Sequence, residues 1–183
     1  MNFKRNKYII IIMNTKINKS LSAQNILDLL HNRCNLVQYS DVHKITSIDE
    51  LLGQHRKCVL LYHTAANYGH WVCVWEYNNT IFFFDSYGSK PDTQLKFLAH
   101  DLKDELNSNH NFLIRLLYNS GKNVEFNQHQ FQRRTHDVTT CGRWVVNRLR
   151  FPEISIDEYY KIFKDASKYI DKDALICLLV PLI

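Results

Sequence analysis

A cysteine followed by glycine at the head of an amphipathic run is a place where thiol chemistry is possible. Cys141, Trp144, Val145, Arg148 and Leu149 recur at helical spacing until Phe151-Pro152, so the pattern predicts a helix with Cys141 in its first turn. Unpaired N–H groups and the macrodipole at such a turn stabilise a thiolate, which lowers the thiol pKa and makes the sulfur a nucleophile. Gly142 has no side chain to block an approaching carbonyl, and it leaves the local backbone N–H free as an oxyanion donor. The position also suits a small buried hydrophobe, the commoner fate of a free cysteine. Cys58, Cys73 and Cys177 lie inside apolar runs and Cys34 follows Arg33; these four read as structural.

A thiol nucleophile needs a base. Of the nine histidines, His70 is the one that follows a glycine and opens the run His70-Trp71-Val72-Cys73-Val74-Trp75, which gives its imidazole a rigid mount. A half-exposed histidine at a strand end would have the same neighbours. Asp85 closes Phe82-Phe83-Phe84, where an acid can orient an imidazole or simply form a turn.

The elements that must position these groups follow from periodicity. Ile26, Leu27, Leu29 and Leu30 behind Ser22, and Leu51 and Leu52 behind the Ser47–Glu50 capping box, make the first fifty residues read as helical. From Lys57 the pattern becomes strand-like, in Cys58–Tyr62, His70–Tyr77 and Ile81–Phe84. Asn78-Asn79 tolerates positive φ, so the last two strands should form a hairpin that brings His70 and Asp85 to one sheet end. A helix is expected from about Thr93 to Leu106, a strand from Phe112 to Tyr118, a long polar loop, then the Cys141 helix. Another helix is expected from the Ser155–Glu158 capping box to about Tyr169, ahead of an apolar, buried tail from Asp173 to Ile183. The fold class is α+β: a central mixed or antiparallel sheet containing a hairpin, flanked by helices, in a single domain over residues 1–183.

Composition narrows the class. With 183 residues, 45% hydrophobic and 13% aromatic, and only 5 Gly and 3 Pro, the chain has the material for a packed core without staples. The balance of 23 basic and 18 acidic residues gives a charge of +5, a mild bias compatible with weak non-specific DNA contact but not a nucleic-acid stripe. Five cysteines without a CxxC pair argue against a disulfide framework and for a reducing, intracellular setting, in host cytoplasm, nucleus or virion. The apolar run from Tyr8 to Met13 is too short for a signal core or a membrane span, so neither secretion nor membrane insertion is expected. Met13 offers an alternative start that would make residues 1–13 a dispensable extension. No cofactor or metal is implied; a zinc site from Cys141, His136 and His129 lacks ligand spacing.

Taken in order, Gly69-His70-Trp71, Phe84-Asp85-Ser86-Tyr87-Gly88, Gln132 and Thr140-Cys141-Gly142-Arg143-Trp144 resemble the adenain and ubiquitin-like-protein protease superfamily, whose members run His, Asp or Asn, Gln, Cys. The resemblance covers roughly residues 55–150 and is nearer the viral and mobile-element branch than the cellular deSUMOylases. It implies a cysteine protease with Cys141 as nucleophile, His70 as general base, Asp85 as its orienting acid and Gln132 as side-chain oxyanion donor. Trp71 and Gly142 would border the substrate. Gln132 stands farther from the cysteine than the family's glutamine usually does, so Gln128 and Gln130 remain rivals and His136 a rival histidine. The implied substrate is a protein or peptide cleaved after small residues such as glycine, either a viral structural precursor or the tail of a ubiquitin-like modifier. A non-catalytic peptide-binding module is the reading from a different class.

Overall fold

The computed structural model describes residues 17–65, 68–97 and 111–182. Its element order is α1 (Ala23–Leu29), β1 (Asn35–Gln38), α2 (Ile48–Leu52), β2 (Lys57–Ala65), β3 (Tyr68–Tyr77), β4 (Thr80–Asp85), α3 (Phe112–Asn119), β5 (Asn123–Phe126), α4 (Cys141–Arg150), α5 (Ile156–Ala166) and α6 (Lys172–Leu179). Single 3₁₀ segments occupy Tyr39–Lys44 and Thr93–Phe97. The fold is α+β: five strands form one mixed sheet in chain order, antiparallel from β2 to β4 and parallel at both edges.

The sheet is covered on both faces. On one, α1, α4, α5 and α6 pack over Val59, Trp71, Cys73, Trp75 and Phe84. On the other, α2 and α3 cover Leu60, Tyr62, Val72, Val74, Ile81 and Phe83. The β3–β4 hairpin turns at Asn78 and Asn79, with φ of 48° and 58°, in the left-handed region that asparagine tolerates. Helix starts follow their side-chain caps: Ser22, Ser47 and Ser155 each accept the N–H three residues on.

Several expectations need correction. The first fifty residues are not all helical, because Leu36 and Val37 pair in parallel with Val59 and Leu60 and extend the sheet by one strand. Residues 112–118 form a helix rather than a strand. Leu113 and Leu117, one turn apart, are both fully buried, and that one-sided burial decides the period. The edge strand lies instead in β5, inside the stretch expected to be loop. Of the expected Thr93–Leu106 helix, Thr93–Phe97 is 3₁₀ and residues 98–110 lie outside those described. The tail is only half buried: Ile176 and Cys177 face the core, while Leu178, Leu179 and Leu182 are exposed. Residues 1–13, including the Tyr8–Met13 run, also lie outside the described residues.

Helix α4 is the centre of the molecule. From Cys141 to Leu149 every residue is buried, Arg143, Asn147 and Arg148 included. These polar groups meet local partners, Asn147 accepting the Tyr159 hydroxyl, although the Arg148 Nε–H has none among the described residues. Arg143 donates to the carbonyls of Val180 and Lys19. Arg148 donates to the carbonyls of Phe151 and Ile154 and lies over the rings of Trp75 and Tyr159. Burial on all sides fixes the helix, and with it the direction of Cys141 at its first turn.

Candidate active site

The residues singled out from sequence meet at one end of the sheet. Asp85 stands opposite Val72 in the β3–β4 ladder, so His70, two residues along β3, is its diagonal neighbour on the same face. His70 Nε2 donates to Asp85 Oδ1 at 2.7 Å, with both side chains buried. The carboxylate also accepts the Tyr87 N–H on Oδ1 at 2.8 Å and the Gln94 amide on Oδ2 at 3.0 Å. Asn127, fully buried, clamps the backbone of Asp85 from both sides, accepting its N–H and donating to its carbonyl.

The turn after Asp85 requires its glycine. Gly88 has φ of +71°, and a Cβ there would sit 2.8 Å from the carbonyl oxygen of His129, so only glycine fits without displacing that backbone.

Cys141 comes to the imidazole from the other side. Its thiol hydrogen-bonds His70 and also accepts the N–H groups of Trp71 and Gly142; Nε2 is committed to Asp85, which leaves Nδ1 for the sulfur. Burial opposes charge on the sulfur, but these contacts outweigh it and hold the Cys141 thiol below its ordinary value. Burial also opposes charge on His70, yet Asp85 and Cys141 together raise it to about 10. Burial likewise opposes charge on Asp85, and His70, Tyr87 and Gln94 hold it below its usual range. The three shifts point to one state, a thiolate beside an imidazolium held by a carboxylate. In contrast, burial pushes the Cys58, Cys73 and Cys34 thiols up, as inert core cysteines require.

These groups open into a cleft of about 530 Å³ lined by Leu21, Leu61, Trp71, Tyr87, Gln132 and Val138 along with His70 and Cys141. Trp71 is fixed by its indole N–H on the Leu21 carbonyl at 3.2 Å. Gln132 is 1% exposed, whereas Gln128 and Gln130 are exposed outside the cleft wall. The Gln132 amide donates to the Val138 carbonyl at 3.0 Å and the Tyr87 hydroxyl at 3.2 Å, and it accepts the Ser86 hydroxyl at 2.9 Å.

Two residues sit otherwise than the sequence suggested. Gly142 does not face the cleft: a Cβ there would point at Leu21, Trp71 and Ile26, between 3.1 and 3.4 Å away, so its smallness lets α4 pack against α1 and β3. His136 lines a neighbouring cavity with Ser89, Arg134 and Thr135, outside the cleft. His129 stacks on Tyr160 and bonds Asp157. Among the described residues no three metal-ligating side chains converge.

Sequence reasoning missed Gln94, Asn127 and Asp173. Asp173, fully buried, accepts the Thr140 hydroxyl at 2.5 Å and the Trp144 indole N–H at 3.3 Å on one oxygen, and the Arg133 N–H at 3.0 Å on the other. It thereby ties the start of α4 to the segment carrying Gln132. The segment 17–22 was also missed. It lines the cleft through Ser20, Leu21 and Ser22, with the Ile17 carbonyl accepting Thr139 N–H and the Lys19 carbonyl accepting Arg143. An acid at the head of an apolar tail was the only sequence signal for Asp173; for the others there was none.

No protein-family model matches the chain. Protein V9 of Sputnik virophage, itself uncharacterised, is 36% identical over 163 residues, covering 87% of this chain and 93% of that protein. Among solved structures, the ASFV pS273R protease aligns over 91% of this chain and 69% of its own, at 13% identity and a TM-score of 0.47. Its selenomethionine form gives 14% and 0.48 over the same shares. ChlaDub1 from Chlamydia trachomatis aligns over 100% of this chain and 80% of its own, at 15% and 0.29. At these values the structural likenesses assign no residue a role.

Proposed function

We propose that the chain, which belongs to the family of protein V9 of Sputnik virophage, is a cysteine protease with Cys141 as nucleophile, His70 as general acid and base, and Asp85 as the group that orients His70. The observation that carries this reading is the buried relay in which one imidazole bonds both the Asp85 carboxylate and a first-turn thiol. A merely structural cysteine has its pKa raised by burial, as Cys73 does; Cys141, equally buried, has its pKa lowered.

The chemistry follows from the arrangement. The Cys141 thiolate adds to a peptide carbonyl carbon, and the carbonyl π pair moves onto oxygen. That oxyanion forms beside the first turn of α4, on the cleft side that carries Tyr87 and Gln132. Collapse restores the C=O bond and breaks the C–N bond, with the departing amine taking a proton from the His70 imidazolium. Water, giving a proton to His70, then attacks the thioester and releases the acid, and the sulfur returns to its thiolate.

For substrate, we favour a protein precursor of viral structural type cleaved after a small residue. The support is that the bulky side chains of Trp71 and Leu61 line the cleft that holds Cys141, together with the virophage relative. The test is mass-spectrometric mapping of iodoacetamide labelling at neutral pH, beside hydrolysis of a peptide panel varied at the residue before the scissile bond. Selective labelling of Cys141 and hydrolysis lost in Cys141→Ala are expected; equal labelling of several cysteines would refute the activated thiol.

A further inference from the structure

Both amide hydrogens of Gln132 are already committed. One lies on the Val138 carbonyl at 3.0 Å and the other on the Tyr87 hydroxyl at 3.2 Å, while Oε1 accepts from Ser86. Turning the amide over would set Oε1 against the Val138 carbonyl, acceptor against acceptor, so the network admits this orientation alone. Gln132 therefore has no hydrogen left for a substrate oxygen unless one of these bonds breaks.

Tyr87 is placed differently. Its hydroxyl accepts from Gln132, so its own hydrogen needs another acceptor, and among the described residues none takes it. The ring lies flat on the His70 imidazole, centroids 4.5 Å apart and planes 12° from parallel, and it lines the same cleft as Cys141. Arg134 fixes the residue from behind, donating to the Tyr87 carbonyl at 2.9 Å with its guanidinium 5.4 Å from the ring centre.

We propose that Tyr87 is a catalytic residue whose phenolic O–H donates the side-chain hydrogen bond to the oxyanion, and that Gln132 is a positioning residue that holds the phenol in that orientation. The inference rests on the cysteine-protease reading above and specifies its oxyanion site. As the Cys141 sulfur bonds the carbonyl carbon, the π pair passes to oxygen and the phenol hydrogen bonds it without proton transfer; when the tetrahedral species collapses, the pair returns and the phenol is unchanged. A phenol that accepts a hydrogen bond is a stronger donor through its own hydrogen. Burial first, and then the Cys141 and Asp85 charges, push the Tyr87 phenol up to about 12, so it keeps its hydrogen at neutral pH.

The test separates a reaction that forms an oxyanion from one that does not. Iodoacetamide alkylation of Cys141 displaces iodide and builds no oxyanion. Acylation by the p-nitrophenyl ester of N-acetylglycine does, and the burst of p-nitrophenol reports it. In Tyr87→Phe, which keeps the ring on His70, acylation should fall by about 10²–10³ while alkylation falls by less than about tenfold. Gln132→Ala should also lose acylation, and the double variant should be little worse than Tyr87→Phe alone, because one residue acts through the other. Acylation by Tyr87→Phe within about threefold of wild type overturns the proposal, as does a further loss of about 10² on adding Gln132→Ala to it, which would make Gln132 the direct donor. Equal losses in alkylation and acylation would assign Tyr87 to the thiolate–imidazolium pair instead. A wild-type protein with neither selective alkylation nor a burst would refute the protease reading itself, and the proposal with it.

Discussion

Asp85→Asn is the substitution that tests the relay most directly, because it keeps shape and removes charge. Asp85 serves three donors at once: the His70 Nε2–H, the Tyr87 N–H and the Gln94 amide. An asparagine can keep its oxygen toward His70 and Tyr87, and its NH₂ then meets Gln94, which can turn its own oxygen to match. The fold should survive, with the carboxylate missing from beside a buried imidazole. Leaving such a charge unpaired costs about 3–5 kcal/mol, and at about 1.4 kcal/mol per decade this predicts a fall in kcat of about 10²–10⁴. The pH dependence carries the sign. The reactive pair needs His70 protonated and Cys141 ionised, so it exists above the lowered thiol pKa and is lost as pH rises through the imidazole value of about 10. Without Asp85 the imidazole loses the partner that raises it, so the alkaline limb of the kcat profile, where amine departure needs the imidazolium, should move down and the window should narrow. Turnover of the best peptide from pH 5 to 11 measures both. A variant within threefold of wild type in kcat and with an unmoved alkaline limb would refute Asp85 as the orienting group.

Other expected outcomes follow from single contacts. Cys141→Ala should abolish hydrolysis and shift Tm little, whereas Cys73→Ala, in the core under Trp75, should cost about 1–2 kcal/mol on a denaturation curve while Cys141 labelling persists. Gln132→Ala should lower kcat by about 10², against less than about twofold for Gln128→Ala and Gln130→Ala, and matched kinetics on one peptide decide among them. Asp173→Ala strands the Thr140 hydroxyl, the Trp144 indole N–H and the Arg133 N–H in the interior, and should destabilise the fold by about 2–4 kcal/mol in urea unfolding. A chain beginning at Met13 should keep full activity, and one beginning at Ala23, which lacks the carbonyls that receive Thr139, Arg143 and Trp71, should lose it in the same peptide assay.

What the sequence disclosed and what it hid divide along a physical line. His70 and Asp85 were legible because a two-residue Asn78-Asn79 turn sets the hairpin register, and the register sets which residues share a sheet end. Cys141 was legible because a helical period begins there and breaks at Phe151-Pro152. The helix at 112–119 was misread because Phe112, Leu113, Ile114, Leu116 and Leu117 satisfy a strand's composition as well as a helix's, and only the core they face decides between periods. Strand β5 was missed because four residues of alternating exposure carry too little pattern, and it exists by pairing with the already buried Phe83 and Ile81. The polar shell lay further out of reach. Gln94 and Asn127 are 9 and 42 positions from Asp85 and Asp173 is 33 from Thr140, and nothing local distinguishes them from surface residues.

That shell bears on how the site is built. His70 and Asp85 belong to the sheet, Cys141 to a helix, and Gln132 to an irregular segment, so no single element fixes the distances among them. Asp173 joins the latter two through Thr140 and Arg133, and the Ser86 hydroxyl joins Gln132 to the turn after Asp85. The Thr140 and Ser86 links are buried hydrogen bonds and the Arg133 link is a half-buried one, so breaking one leaves an unmet donor or acceptor and shifts a residue of the proposed site at the same time. Substitutions in these links should therefore lower stability and turnover together, unlike Cys141→Ala, which should remove turnover alone. Comparing ΔTm with kcat across Asp173→Asn, Ser86→Ala and Cys141→Ala tests this: a normal kcat in a strongly destabilised Asp173→Asn would show that the helix and the Gln132 segment hold their places without the link.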